Sequence, residues 1–147
     1  INRHSQSVLK NLMIVDLNPE AHRDLSKKGI TCRYGDISHP DTLRQLDLDK
    51  SQILICTIPD TSLKGTTNLK LLRFLKQVAP ESRVIVTAER LDLAREMYRE
   101  GAAYVYIPRV ISSHYLAEVL DRLQSADFQN LRDNAQAYIS QRHEVLP

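Results

Sequence analysis

The sequence predicts an α/β fold built around a parallel sheet. Short apolar segments alternate along the chain with longer segments whose apolar residues recur at helical spacing. Turn residues separate the two kinds of segment, with Gly, Pro, Asn and Asp at most of the junctions. The segment 52–58 is almost continuously apolar, as expected for a strand covered on both faces. Five strands alternating with helices therefore favour parallel pairing with right-handed crossovers.

The first strand and helix carry the clearest boundaries. The apolar run at 12–15 ends at Asp16, and Asn18 followed by Pro19 predicts an N-cap and a first helical residue. The helix should run to Lys28 and end at Gly29. By the same reasoning, the later segments predict strands at 30–34, 52–58, 83–88 and 104–107, and helices at about 38–46, 64–79 and 91–100.

The last helix of the alternating region is expected to begin at a serine cap, Ser112 or Ser113. Its apolar residues should face inward: Leu116, Val119, Leu120 and Leu123. We predict one domain over 1–123 and a helical extension over 124–147. In that extension, residues spaced by 3, 4 and 3 form a short apolar seam: Phe128, Leu131, Ala135 and Tyr138. This helix either packs on its own domain or contacts a second subunit.

Composition excludes several classes of protein. The chain has 147 residues and a formal net charge of +2, without a block of Lys or Arg, so a nucleic-acid binder is not expected. Its apolar runs are far shorter than the ~20 residues that span a bilayer, and its first residues do not form a secretory signal. The two cysteines do not make a disulfide scaffold. The five histidines have no metal-site spacing, and we find no catalytic set.

Acidic residues follow the first two readable strands. In a parallel sheet, ligands bind at the carboxyl ends of the strands, which directs attention to Asp16 and to Gly35-Asp36. Asp16 either accepts ribose hydroxyls or satisfies the turn before its helix. Asp36 either accepts from an adenine amino group or begins an Asx-turn, and Gly35 permits close backbone approach.

The order of these segments resembles a known family. The resemblance is carried by Val15-Asp16-Leu17-Asn18-Pro19-Glu20, Tyr34-Gly35-Asp36, Ile55-Cys56-Thr57-Ile58-Pro59-Asp60, Val86-Thr87-Ala88-Glu89 and Gly101-Ala102-Ala103-Tyr104-Val105. Together they resemble the TrkA-N or RCK domain, a Rossmann-like regulator of potassium transport. The Pro59-Asp60 end and the helix start at 64–68 look most like the C-terminal domain of Kef-type cation/proton antiporters.

One part of the family pattern is not found in the readable sequence. The family opens with a strand and a G-x-G-x-x-G turn, whereas the four glycines here lie at 29, 35, 65 and 101. Residues 2–10 look like the helix that would follow that turn. Because this fold places the first strand in the middle of the sheet, its absence would leave two strand edges unpaired. We expect the strand and the turn to lie upstream of the given residues.

The resemblance implies a nucleotide site along the strand ends. It implies that Asp16 contacts a ribose and Asp36 an adenine edge, with Ile58 and Pro59 lining the base or phosphate. Arg90 could meet a phosphate, and Glu89 a cation, or both could simply begin a solvated helix. Arg109 is a further phosphate or interface candidate. The predicted ligand-binding set is Asp16, Leu17, Asn18, Gly35, Asp36, Ile37, Thr57, Ile58, Pro59, Glu89 and Arg90.

The resemblance also implies a function. The expected role is that of a non-enzymatic regulatory domain that senses an adenine nucleotide (AMP, ADP or ATP) or NAD(H) and gates a potassium or other monovalent cation transporter. Such a domain would work as a homodimer at the inner face of the cell membrane, attached to a transmembrane partner. Two alternatives stay open: the cofactor domain of an NAD-dependent oxidoreductase, and a dimerisation domain without a ligand.

Overall fold

The computed structural model describes residues 9–123 and 128–140. These residues form two compact units, one over 9–46 and one from 47 onward. The first unit is a two-stranded parallel sheet with a helix after each strand. Its elements are β1 (Met13–Asp16), α1 (Pro19–Lys27), β2 (Thr31–Tyr34) and α2 (Pro40–Arg44). The predicted strands and helices of this region are confirmed.

The helix α1 begins and ends where the sequence indicates. The side chain of Asn18 accepts hydrogen bonds from the backbone N–H groups of Glu20 (2.8 Å) and Ala21 (3.4 Å), which satisfies two donors that the first turn leaves free. Pro19 occupies the first turn, where its missing N–H costs nothing. Gly29 follows the helix with φ of 70°, a conformation that ends helices.

The second unit contains a three-stranded parallel sheet with the order β3-β4-β5. Its elements are β3 (Ile53–Cys56), α3 (Asn68–Val78), β4 (Arg83–Thr87), α4 (Leu91–Arg99), β5 (Tyr104–Tyr106), α5 (Pro108–Leu123) and α6 (Phe128–Ser140), with single 3₁₀ turns at Leu48–Lys50 and Asp60–Ser62. The alternation of strands and helices and the parallel pairing match the prediction.

The core of the second unit lies on one face of its sheet. Val84 and Val86 of β4 are fully buried, and they share a sheet face with Val105. The helices α3 and α4 cover this face and contribute buried side chains to it: Leu71, Leu72, Leu75, Ala94 and Met97. Full burial of a side chain of this size contributes about 1.5–3 kcal/mol to folding. This core therefore holds β4 and β5 against the two helices.

The five strands form two sheets rather than the single sheet that the alternation suggests. Within the described residues, β1 pairs only with β2, and β3 pairs only with β4. Within this part of the chain, β1 and β3 thus each keep one edge unpaired. The physical reason is that a strand able to join β1 to β3 is not found among the described residues, and the fold class places its first strand at that position.

The prediction for the last α/β helix is wrong in two respects. The helix α5 begins at Pro108, so Ser112 and Ser113 lie inside it, and the Ser113 hydroxyl donates to the Val110 carbonyl. Leu116 is 58% and Leu120 is 54% exposed, so these two residues are not inward. Val119 is half-buried, and the side chain of Leu123 lies outside the described part of the chain. Proline is a good first helical residue, and it displaces the serine cap that the pattern indicated.

The tail helix lies where the sequence places it, although its role stays a prediction. The helix α6 covers Phe128–Ser140, and the aromatic side chains of its seam are exposed, Phe128 by 48% and Tyr138 by 58%. Leu131 is half-buried. The division of the chain into a domain over 1–123 and an extension over 124–147 also stays a prediction.

Candidate functional site

In the first unit, two loops meet at the carboxyl end of the sheet. The backbone N–H of Gly35 donates to the carbonyl of Asp16 at 3.2 Å, so the loop after β1 touches the loop after β2. This contact brings together six of the predicted site residues: Asp16, Leu17, Asn18, Gly35, Asp36 and Ile37. The carboxyl edge of a parallel sheet is where such folds bind ligands.

The two aspartates at this edge both hold turns. Asp16 Oδ1 accepts from the backbone N–H of Asn18 at 2.8 Å, and Asp36 Oδ1 accepts from that of Ser38 at 2.8 Å. The bond from Ser38, with His39 Nδ1 lying 3.1 Å from Asp36 Oδ2, holds the pKa of the Asp36 carboxyl below its usual range. Each carboxylate thus uses one oxygen for its turn. The other oxygen would accept a hydrogen bond from a ribose hydroxyl or from an adenine amino group.

Gly35 is required at its position by packing. A Cβ atom there would lie 2.7 Å from Cγ2 of Thr42 in α2 and 3.7 Å from Cγ1 of Val15 in β1. The first distance is shorter than any van der Waals contact, so Thr42 would have to move. The close backbone approach that the sequence predicts for Gly35 is therefore present, and it brings α2 against the end of β1.

A shallow pocket of about 450 Å³ opens beside this edge. It is lined by Pro19, His22, Arg23 and Tyr34, none of which belongs to the predicted set. The His22 ring is fixed by its Nε2, which donates to the carbonyl of Cys32 at 3.0 Å, and Tyr34 is 65% exposed. The volume falls within the range of small-ligand pockets. These residues extend the candidate surface of the first unit.

In the second unit, the loop after β3 is held by a buried asparagine. Asn68 begins α3 and is fully buried, and its Nδ2 donates to the carbonyl of Ile58 at 2.8 Å and to Asp60 Oδ1 at 2.9 Å. Its backbone N–H also donates to Asp60 Oδ1, at 2.6 Å. We call these three bonds the Asn68 clamp. The clamp fixes the backbone of the predicted ligand-lining segment 57–60.

Sequence reasoning assigned Asn68 no role, although a signal was present. Asn68 stands at helical spacing with Leu71, Leu72 and Leu75, so it is a polar residue in the apolar stripe of α3. Such a residue must find hydrogen-bond partners when the stripe is buried. The nearby Asp60 and the carbonyl groups of the preceding loop were the available partners.

Glu89 and Arg90 follow β4 and are both exposed. The guanidinium of Arg90 is engaged by Asp92: its Nε donates to Oδ1 at 3.0 Å, and its Nη2 donates to Oδ2. This pairing lowers the pKa of Asp92 to about 2. A phosphate that approaches Arg90 would therefore have to displace Asp92 from both nitrogens.

The loops after β3 and β4 lie at the same edge of their sheet, since the strands are parallel neighbours. The Thr87 hydroxyl donates to the carbonyl of Cys56 at 2.9 Å and ties the two strand ends together. Thr57, Ile58, Pro59, Glu89 and Arg90 thus form a second group of predicted site residues. Arg109 is assigned to neither group and lies in the exposed first turn of α5. That the two groups bind one ligand stays a prediction.

Three further properties concern metals, membranes and thiols. Among residues 9–123 and 128–140, no three His, Cys, Asp or Glu side chains are grouped as metal ligands. In the same part of the chain, no helix has the length and hydropathy that a bilayer crossing requires. Burial raises the pKa of the Cys56 thiol to about 11 and, together with the charge of Asp16, also raises that of Cys32. Both thiols are therefore protonated near neutral pH.

The parallel strands, the helical crossovers and the loops at the carboxyl edges define a Rossmann-like α/β fold. A comparison with protein-family models matches residues 2–108 to the TrkA-N domain. The match covers most of the chain, and the chain therefore belongs to the TrkA-N domain family. The resemblance inferred from the strand-end motifs is confirmed.

Solved structures share this fold at low sequence identity. The TrkA-N domain of the inner membrane protein ybaL from Escherichia coli is 16% identical, with a TM-score of 0.63 over 82% of this chain and 92% of that one. The NAD(P)-binding domain of an exopolyphosphatase-related protein from Archaeoglobus fulgidus is 20% identical, with a TM-score of 0.60 over 79% and 89%. At these identities, the similarity establishes the fold alone.

A third structure is the C-terminal domain of Kef from Shewanella denitrificans in its AMP-bound form. It is 19% identical to this chain, with a TM-score of 0.53 over 88% of this chain and 89% of that one. Among curated proteins, a comparison of the sequence finds no match.

Proposed function

We propose that this chain is a regulatory domain that binds an adenine nucleotide or NAD(H) and controls a monovalent cation transport system. The observation that carries the proposal is the pair of aspartate loops joined at the carboxyl edge of the first sheet, in a chain of the TrkA-N family. Carboxylates in this position suit the hydroxyl and amino groups of a nucleoside, because these groups are hydrogen-bond donors.

The proposed ligand class is supported by the ligands that are bound in structures of similar domains. The Kef C-terminal domain of Shewanella denitrificans is described in an AMP-bound form. The GsuK channel, of which this chain spans 16%, is described as bound to NAD, with a TM-score of 0.52. In the proposed site, Asp16 would bind the ribose and Asp36 the base. The segment Thr57-Ile58-Pro59 would line the nucleotide, with Glu89 and Arg90 near its charged end.

Regulation would follow from a difference in affinity between two states. A nucleotide can shift a conformational equilibrium only if it binds one state more tightly than the other. We propose that the two states differ in how two copies of the chain are arranged, and that a transmembrane transport domain responds to this arrangement. The homodimer, the transport partner and a location at the inner face of the membrane are parts of the same proposal.

A thermal-shift titration tests nucleotide binding. AMP, ADP, ATP, NAD and NADH are added separately to the 147-residue chain. A ligand at about 100 times its dissociation constant stabilises a protein by about 2.7 kcal/mol. For a domain of this size, this raises the midpoint by about 5–10 °C. An unchanged midpoint with every nucleotide at millimolar concentration, both in this chain and in a longer chain that includes an upstream glycine-rich turn, would overturn the proposal.

Two variants locate the site. Asp16→Asn and Asp36→Asn each keep an oxygen that can accept the turn hydrogen bond but remove the negative charge, so the local fold should persist. Loss of a charged acceptor is expected to weaken nucleotide binding by about tenfold to a hundredfold. Asp49→Asn is the matched control, because Asp49 is an exposed aspartate in the 3₁₀ turn at 48–50. Equal affinity in all three variants would contradict the assigned position.

A further inference from the structure

Both oxygens of the Asp36 carboxylate have a partner within the chain itself. Oδ1 accepts from the backbone N–H of Ser38 at 2.8 Å, and Oδ2 lies 3.1 Å from Nδ1 of His39. Within the described residues, the Asp16 carboxylate has one such partner, the backbone N–H of Asn18. The two aspartates proposed to recognise a nucleoside therefore differ, because a ligand that binds Asp36 must first displace an imidazole.

A tight turn brings the ring of His39 to this carboxylate. The backbone N–H of His39 donates to the carbonyl of Asp36 at 3.1 Å, which closes a turn over residues 36–39. The first and last residues of such a turn lie close together, so their side chains can meet. The contact between the imidazole and the carboxylate thus follows from the backbone of the loop after β2.

The next residue in the chain fixes the backbone of His39. Pro40 disfavours the helical region for the residue before it, and His39 is extended, with φ of −99° and ψ of 119°. His39 occupies the N-cap position of α2, where Ser, Thr, Asn and Asp side chains usually cap a helix. The His39 side chain makes no capping hydrogen bond. Its ring lies against Asp36 instead.

Other ionisable groups stand on the elements around this turn: Asp16 of β1, Arg33 and Tyr34 of β2, and Asp41 and Arg44 of α2. Asp41 and Arg44 pair with each other at 3.1 Å. The pKa of Asp36 is lowered first by the hydrogen bond from Ser38, and among the charged groups of the described residues only His39 lowers it further. His39 is thus the ionisable group that acts on the second oxygen of Asp36.

The charge on His39 decides how firmly it holds this oxygen. A neutral imidazole donates through Nδ1–H in only one of its two tautomers. When both ring nitrogens carry a proton, the side chain is a cation, and its contact with a carboxylate is an ion pair with a charge-assisted hydrogen bond. Histidine side chains change between these forms near physiological pH. A ligand must therefore displace a stronger partner from Oδ2 at acid pH than at alkaline pH.

We propose that His39 competes with the nucleotide for the second oxygen of Asp36, and that protonation of His39 weakens nucleotide binding. A ligand amino group that donates to Oδ2 displaces the imidazole, which then passes one proton to solvent. Nucleotide affinity consequently rises as pH rises. The inference rests on the nucleotide site proposed above and adds a pH-dependent control to it, so that the domain responds to nucleotide concentration and to pH together.

The exposure of the pair sets the size of the effect. The side chain of His39 is 72% exposed and that of Asp36 is 27% exposed, so water and salt screen the attraction between them. An exposed ion pair of this kind changes an equilibrium constant by up to about fivefold. We expect nucleotide affinity to increase by about twofold to fivefold between a pH of about 5.5 and a pH of about 8.

The test compares the unmodified chain with His39→Gln and His114→Gln. Glutamine keeps a side-chain N–H donor but carries no charge at any pH. His114 is the matched control, because it is an exposed histidine of α5 that belongs to neither group of site residues. Calorimetry with NAD and with AMP measures the affinity of each protein at each pH. The ratio between two proteins removes any titration of the nucleotide itself, since both meet the same ligand.

We expect the affinities of the unmodified chain and of His114→Gln to rise together with pH. His39→Gln should bind at acid pH about as tightly as the unmodified chain binds at alkaline pH. If the ratio of the affinities of His39→Gln and the unmodified chain stays constant across the pH range while nucleotide binds, the inference is wrong and the proposed function stands. Absence of binding at every pH, in this chain and in the longer chain with the upstream turn, would overturn both.

Discussion

Replacing Asn68 by alanine removes the side chain that holds the loop after β3. The variant loses the hydrogen bonds from Nδ2 to the Ile58 carbonyl, at 2.8 Å, and to Asp60 Oδ1, at 2.9 Å. A neutral hydrogen bond contributes about 1 kcal/mol and a bond to a charged group about 2 kcal/mol, so Asn68→Ala should cost about 3 kcal/mol. For a protein of this size, the midpoint of thermal unfolding should fall by about 6–12 °C.

Urea denaturation followed by far-UV circular dichroism measures the free energy of unfolding directly. Gln77→Ala is the matched control, since it removes an exposed amide from the same helix and should change stability by less than about 0.5 kcal/mol. Asn68→Asp should be at least as destabilising as Asn68→Ala at neutral pH, because it places a second carboxylate against Asp60. A loss below about 1 kcal/mol for Asn68→Ala would refute the clamp as the support of this loop.

Three further predictions concern single ionisable groups. The pKa of Asp36 is lowered by its bond from Ser38, so the carboxylate stabilises the fold above its unfolded pKa of about 3.9. This stability is lost as pH falls through the lower pKa of the folded state. The free energies of unfolding of the wild type and of Asp36→Asn, measured by denaturation at a series of acid pH values, should therefore become equal below that pKa. The pKa of the Cys56 thiol is raised to about 11, so Cys56 should resist iodoacetamide at neutral pH and react only in strong base. The intact mass of the chain measures this labelling. Rapid labelling of Cys56 at neutral pH would contradict its burial. If Arg90 binds phosphate, Asp92→Asn should release the Arg90 guanidinium from its ion pair. Nucleotide binding, measured by calorimetry, should then tighten by about twofold to fivefold. Unchanged affinity would remove Arg90 from the site.

Local signals predicted the boundaries of most elements. Asn18 and Pro19 fixed the start of α1 because the cap and the first turn depend on neighbouring residues alone. Gly29 and Gly101, with φ of 70° and 90°, fixed the ends of α1 and α4 for the same reason. The apolar stripe of α3 predicted its buried face correctly, since α3 packs within its own unit.

The failures lie where distant contacts decide the outcome. In α5, Leu116, Val119, Leu120 and Leu123 have the spacing of a buried helix face. Leu116 and Leu120 are nevertheless exposed, because periodicity does not identify the surface that covers a helix. The engagement of Arg90 by Asp92 is local, but sequence reasoning considered a phosphate or solvent for that guanidinium and not the neighbouring carboxylate. The division of the strands into two sheets depends on a pairing partner for β1 and β3, which the alternation assumed.

The proposed site contains residues that the sequence predicted to bind a ligand. Some of these residues have both a structural role and a proposed binding role. Asp16 and Asp36 each accept a turn hydrogen bond through one carboxylate oxygen. The interpretation of each residue as a turn former is therefore correct. A turn that fixes the carboxylate also preorganises its other oxygen for a ligand. The same residue can therefore serve the fold and the site, and only a binding measurement separates the two roles.

The most direct test of the central claim is a map of amide chemical shifts. A ¹⁵N-labelled chain is titrated with the nucleotide that gives the largest thermal shift, and the backbone signals are followed to saturation. We predict that the largest changes fall on residues 16–18 and 35–37 and on residues 57, 58 and 60, because Pro59 has no amide proton. Changes confined to other parts of the chain, with these three segments unmoved at saturation, would contradict a nucleotide site at the strand ends.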